Sequence, residues 1–173
     1  MGRVTDSRQA AIIDASVLIN FLAVNRADLL IKHPVYRFAT TRHAEQEITV
    51  HYGAQRTRLD ACIVSGALEV LTLNAVHELE AFGALSRHGL GAGECASIAA
   101  AATRGLPLAI DDRAARKVAA RLHPSVLLLD TQGLVVDCLR ASLLDIKEAD
   151  AIKEEWATKH RFRLGITSFA ELL

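Results

Sequence analysis

The stretch Ala10-Ala11-Ile12-Ile13-Asp14-Ala15-Ser16-Val17-Leu18-Ile19-Asn20-Phe21 decides the fold. Its apolar, branched opening reads as a buried strand. After the lone Asp14 the pattern turns helical, with Val17, Leu18, Phe21 and Leu22 on one face. Ser16 reads as the N-cap of that helix. Asp14 is therefore expected at the carboxyl end of a strand, the edge where open parallel sheets bind ligands.

Working outward, strands and helices alternate. The first helix runs to about Val24, and a polar connection through Asn25, Arg26 and Asp28 reaches Pro34. Strands are expected at 36–40, 68–73 (an edge), 106–110 and 126–129. Helices are expected at 41–65, 76–86, from the alanine-rich segment after Gly91 to Gly105, after Asp111-Asp112, and at about 133–144 and 147–159. A tail carrying Phe162, Ile166, Phe169 and Leu172 follows. Such alternation implies parallel crossovers, hence an α/β sandwich.

The 173 residues fit one domain, 1–173, with a helical C-terminal extension from about 133. No apolar run approaches the roughly 18 residues that a membrane span needs, so no membrane partner is expected. Met1 to Gln9 lacks the apolar segment of a signal peptide, and Asp6 departs from a myristoylation motif. The three cysteines are far apart and form no C-x-x-C pair, which points to buried free thiols and a cytoplasmic location. A net charge of zero neither requires nor excludes nucleic acid, because local patches decide.

Three expected strands end on acids: Asp14, Asp111-Asp112 and Asp130. Glu47 and Glu94 sit on helices able to face the same edge, Glu94 in a first turn where the helix dipole favours a carboxylate. Carboxylates gathered in one crevice repel unless a cation joins them, and Mg²⁺ or Mn²⁺ prefer oxygen ligands. Such a site polarises a phosphate and activates water for phosphodiester hydrolysis. Any one of these acids taken alone is more simply a helix cap, Asp112 especially, so the case rests on their convergence.

Ile13-Asp14-Ala15-Ser16-Val17-Leu18-Ile19, Gly93-Glu94-Cys95-Ala96 and Asp111-Asp112-Arg113-Ala114-Ala115-Arg116 together resemble the three signatures of PIN-domain ribonucleases, and are similar to those of VapC-type toxins of toxin–antitoxin pairs. The resemblance runs from about Ala10 to Gly133. It implies a PIN-like three-layer sandwich with a central, mostly parallel five-stranded sheet, a pocket for Mg²⁺ or Mn²⁺, and endonucleolytic cleavage of single-stranded RNA. By position it implies catalytic roles for Asp14, Glu47, Glu94 and Asp112, and metal ligation by Asp14, Glu94 and Asp112 with Asp111 as neighbour or substitute. Ser16, Asn20 and Thr131 would support the pocket. Thr41-Arg42-His43-Ala44-Glu45-Gln46-Glu47-Ile48 matches the second acidic signature loosely, so Glu45 competes with Glu47, about 200° away on a helix. Asp130 departs from the family's glycine.

Arg113, Lys117 and Arg121 recur at helical spacing after Asp112, a stripe suited to tracking an RNA backbone, with Arg116 near it but rotated. The plain alternative is a solvated face. Few aromatics argue against reading of bases by stacking. Gly91-Ala92-Gly93-Glu94 imitates a dinucleotide fingerprint but follows no strand. A receiver domain would need a second acid after the first strand and a lysine near Thr131. The seven histidines form no metal motif and read as surface or satisfied residues. The rival of a different class is a PIN module that binds RNA or a protein without cutting. Leu139, Leu143, Leu144, Ile146, Ile152 and Trp156 read as part core, part interface for a second copy (a homodimer) or for an antitoxin peptide.

Overall fold

Ala11 and Ile13 of the first strand face one apolar layer and Ile12 faces another, all three fully buried. A strand covered on both faces must be apolar throughout, which is why residues 10–13 read as an unbroken run. The structure, a computed structural model, describes residues 7–49 and 53–173. The expectations for the amino terminus before Ser7 and for His51 lie outside the described residues.

In chain order, β1 (Gln9–Ile13) leads to α1 (Ala15–Ala23) and a short α2 (Ala27–Ile31). β2 (Tyr36–Thr41) leads to α3 (Arg42–Glu47) and α4 (Gly53–Val64), and β3 (Glu69–Leu71) to α5 (Val76–Leu85) and α6 (Ala92–Arg104). β4 (Leu108–Ala109) leads to α7 (Arg113–Leu122). β5 (Leu128–Leu129) leads to α8 (Thr131–Arg140), α9 (Ile146–Lys159) and a closing 3-10 turn (Phe169–Leu172). The sheet is five-stranded in the order β3-β2-β1-β4-β5, and every pairing is parallel. Strand order therefore reverses between β1 and β4, which opens a crevice beyond their carboxyl ends.

One layer joins α1, α2, α4, α8 and α9 to the sheet, and the other joins α5, α6 and α7. α6 lies close because its buried face is Ala96, Ala99, Ala100 and Ala101. It stops at Gly105, whose φ of 64° suits a residue without Cβ. Leu139, Leu144, Ile152 and Trp156 of the C-terminal region belong to the same core as β1, whereas Leu143 and Ile146 are exposed. No helix among the described residues is long and apolar enough to cross a membrane.

Four local expectations are corrected. The polar connection after Val24 contains α2, since Leu29 and Leu30 are buried. The single helix expected over 41–65 is two helices. Buried Ile48 turns out of the helical path, and Arg56 Nη1 donates to the carbonyls of Glu45 (3.4 Å) and Ile48 (3.2 Å) at the end of α3. The helix expected at 133–144 begins at Thr131, because Asp130 caps it, and ends at Arg140 before Ser142 at φ 58°. His33 is neither surface nor satisfied: its Nδ1 accepts the amides of Val35 and Tyr36, while its buried Nε2 has no hydrogen-bond partner. Burial lowers its pKa. Cys95 and Cys138 are buried free thiols and Cys62 is a half-buried one.

Candidate active site

β1 delivers Asp14 to the crevice as the N-cap of α1, the place expected for Ser16, which instead lies inside the helix. Its Oδ2 accepts from the Ser16 amide (3.0 Å) and hydroxyl (2.7 Å), and its Oδ1 from the Ser97 hydroxyl (2.9 Å). The carboxylate is thus buried and fixed from two elements. Ser16 also accepts the Asp111 amide at 3.1 Å, so one hydroxyl joins the ends of β1 and β4. Ser97 was not foreseen. Its signal was its position one helical turn after Glu94, on the face that carries that acid.

β2 ends at Thr41, which caps α3 with its hydroxyl and so sets the direction of Glu45 and Glu47. Glu45 is buried between Arg42 (3.1 Å) and Arg56 (2.5 Å) and is spent there. Glu47 turns to α6, where its Oε1 accepts the Gly93 amide at 2.9 Å. A Cβ at Gly93 would fall within 2.9 Å of the whole Glu47 carboxyl group, so glycine makes this approach possible. Glu94 Oε2 accepts the Gly91 amide (2.9 Å), and Asp112 caps α7 through the Ala115 amide (2.8 Å).

The electrostatics gather four of these acids. Burial raises the Glu94 pKa, and the charges of Asp112, Asp14 and Glu47 raise it further against the Gly91 bond. Burial likewise raises Glu47, with Asp14 adding to the shift and the Gly93 amide and His43 opposing it. Among the described residues, the leading influences on the two include no lysine or arginine.

Asp111 faces another neighbourhood. Its Oδ2 accepts from Asn20 (2.9 Å) and the Thr131 hydroxyl (2.6 Å), and its Oδ1 from the Thr131 amide (3.0 Å). Burial raises its pKa while these Thr131 bonds lower it. Asn20 and Thr131 therefore sit together, 3.2 Å apart, around Asp111. Asp130 caps α8 through the Gly133 amide at 2.7 Å.

Arg113, Lys117 and Arg121 lie exposed on α7, Arg121 with a 3.4 Å contact to His88. Arg116 is engaged otherwise. Its Nη1 donates to the carbonyls of Ile110 and Leu129, each at 2.7 Å, tying together the ends of two short strands.

A family model described as DUF3368, a PIN domain, matches residues 10–172. The chain belongs to the PIN-domain family. Among solved structures, this PIN-domain chain is similar to PAE2754 from Pyrobaculum aerophilum, at 21% identity and a TM-score of 0.53, covering 79% of this chain and 98% of that one. It is also similar to a structure of VapBC2 from Rickettsia felis bound to a DNA fragment from its promoter, at 15% identity and a TM-score of 0.47, covering 70% and 98%. No curated protein matches it.

Proposed function

We propose that this PIN-domain chain is a metal-dependent endoribonuclease acting on single-stranded RNA. The observation that carries the reading is that Asp14, Glu47 and Asp112 all raise the pKa of Glu94, a group of four mutually repelling carboxylates at the carboxyl ends of the strands. The donors suit a hard divalent cation in kind: all are carboxylate oxygens, and Glu47 Oε2, Glu94 Oε1 and Asp112 Oδ2 accept no hydrogen bond from the described residues. When bound, Mg²⁺ or Mn²⁺ supplies charge stabilisation for an in-line displacement at phosphorus.

The chain's own residues do the rest. Ser16 and Ser97 hold Asp14 in one orientation. Asn20, Thr131 and Asp111 brace the floor between α1 and α8. Arg113, Lys117 and Arg121 offer a cationic path for the RNA backbone leading away from the acids. The toxin role, an antitoxin partner and cytoplasmic action rest on the similarity of the three motifs to VapC-type toxins. A homodimer is supported by exposed Leu143 in the turn before α9 and Ile146 at its start.

A second reading, an RNA- or protein-binding module, is favoured by one fact. Among the described residues, no three His, Cys, Asp or Glu side chains stand close enough to hold an ion as they are. Cleavage of labelled single-stranded RNA with Mg²⁺, with Mn²⁺ and with EDTA separates the two. Metal-dependent cutting that Asp14→Asn abolishes supports the nuclease, and its absence from clean protein leaves the binding module.

A further inference from the structure

Beside Asp111 lies a recess of about 270 Å³ that neither Glu47 nor Glu94 lines. It is lined by Asp111, Asp130, Arg113 and Gln132 and by Phe162 and Arg163 of the segment after α9. The recess and the acidic group are neighbours, since Asp111 and Asp112 are adjacent in the chain.

Three of its polar groups are unspent, while Asp111, Asp130 and Arg116 are held by bonds within the protein. Among the described residues, Arg113 and Arg163 have no ion pair, and the Gln132 amide makes no hydrogen bond within the protein. Arg116 lines the recess too, but its Nη1 serves two backbone carbonyls. Two arginines without an ion pair lining one recess offer a phosphate charge-assisted hydrogen bonds, against the opposing charge of Asp111 and Asp130. A side-chain amide that both donates and accepts fits a base edge. Phe162 is half-buried, its ring standing edge-on to Trp156 (5.4 Å between centroids, 85° between planes), and the remainder of the ring borders the recess.

The segment after α9 is held, not loose. The Phe162 amide donates to the Trp156 carbonyl at 3.1 Å. Further along, Asp150 on α9 accepts the Ser168 hydroxyl (2.6 Å) and the Phe169 amide (2.9 Å), and Phe169 is fully buried. A fixed aromatic beside free guanidiniums and a free amide, one residue from the acids, has the chemistry of a nucleotide pocket.

We propose that this recess is a subsite for one nucleotide of single-stranded RNA, adjoining the phosphodiester held at the acids: Arg113 and Arg163 take its phosphate, Phe162 its base or ribose face, and Gln132 a base edge. The proposal rests on the nuclease reading for what the neighbouring site does. It also assigns selectivity to residues outside the acidic motifs.

The test uses the full chain with Arg163→Ala and Gln132→Ala, both at solvent-accessible positions, after circular dichroism and melting have matched each variant to wild type. The first readout is KM and kcat on a single-stranded RNA carrying all bases around the cut, with Mn²⁺. The second is fluorescence anisotropy of a short unstructured oligoribonucleotide with Asp14→Asn protein, alone and combined with Arg163→Ala. Arg163→Ala is expected to raise KM and weaken binding by about tenfold, the scale of one lost phosphate or stacking contact. Gln132→Ala is expected to flatten the base preference at one position beside the cut.

Folded variants with unchanged KM, anisotropy and cleavage pattern overturn the subsite. If wild type does not cut but Asp14→Asn protein binds the oligoribonucleotide and loses about tenfold with Arg163→Ala, the subsite stands and the nuclease reading falls. If the oligoribonucleotide does not bind at all, the subsite falls with it.

Discussion

Gly93 sets two effects against each other. In a helix, alanine is favoured over glycine by about 1 kcal/mol, but here the new Cβ would meet the Glu47 carboxyl group within 2.9 Å. The group that must yield is the tip of a flexible side chain, so the fold tolerates the change and the site does not. Gly93→Ala is expected to melt at or above the wild-type temperature while RNA cleavage falls by about tenfold or more. Gly91→Ala is the control, because its Cβ would lie 3.7 Å from the same carboxyl, an ordinary contact. Equal losses in the two variants would remove Glu47 from the argument. Ser97→Ala, which strips one oxygen of Asp14 of its donor, is expected to raise the Mn²⁺ concentration for half-maximal cleavage by about tenfold, read by titrating rate against metal. The positions of Asp14, Glu94 and Asp112 in the fold were legible because each stands at a strand end or in a first helical turn. Ser97, the Gly93 amide and the spending of Glu45 on Arg42 and Arg56 were not, because each depends on which distant element arrives opposite.

Elements were legible in proportion to how much of their pattern is their own. β1, α5 and α6 carry their signals in periodicity, capping and glycine stops, and the structure starts and ends them within one or two residues of the sequence reading. The span 41–65 failed because its helical period runs on past the point where Arg56 takes the carbonyls that end α3. α5 and α6 are joined by buried Glu78, whose Oε1 accepts Arg104 Nε at 2.7 Å. Burial alone would raise the Glu78 pKa, but the Arg104 bond and the Asn74 and Ala75 amides outweigh it and hold it below 4.5. The folded form therefore binds this proton less readily than the unfolded form. The contribution to stability is complete above pH 4.5 and drains away as the pH falls through the lower folded value. The urea midpoint of wild type is expected to fall more steeply with acidification than that of Glu78→Gln. Parallel curves would mean that the pair does not control acid stability.

At the scale of the molecule, the α/β class and the parallel sheet followed from the alternation of strands and helices, whereas the strand order did not, because nothing local encodes which strand lies beside β1. The single tryptophan reports on the whole. Trp156 is fully buried, edge-on to Phe21 at 6.0 Å, and its indole Nε1 donates to the Asn20 carbonyl at 2.7 Å. If residues 133–173 and the sheet unfold as one unit, tryptophan fluorescence and far-ultraviolet circular dichroism give coincident urea transitions. Two separated transitions would make the C-terminal helices an independent unit. Trp156→Ala is expected to cost about 3–5 kcal/mol in the same experiment.

The bond from Trp156 to Asn20 spans 136 residues, and that distance is also an interval of time. A ribosome making this chain releases Asp14 early, Asp111 and Asp112 much later, and Trp156 near the end. Every nascent form that ends at β4 lacks Asp111 and Asp112, and every form short of α9 lacks the indole that bonds the Asn20 carbonyl. If the acids cut RNA as proposed, the set is complete only once Asp112, the last of the four, has left the ribosome.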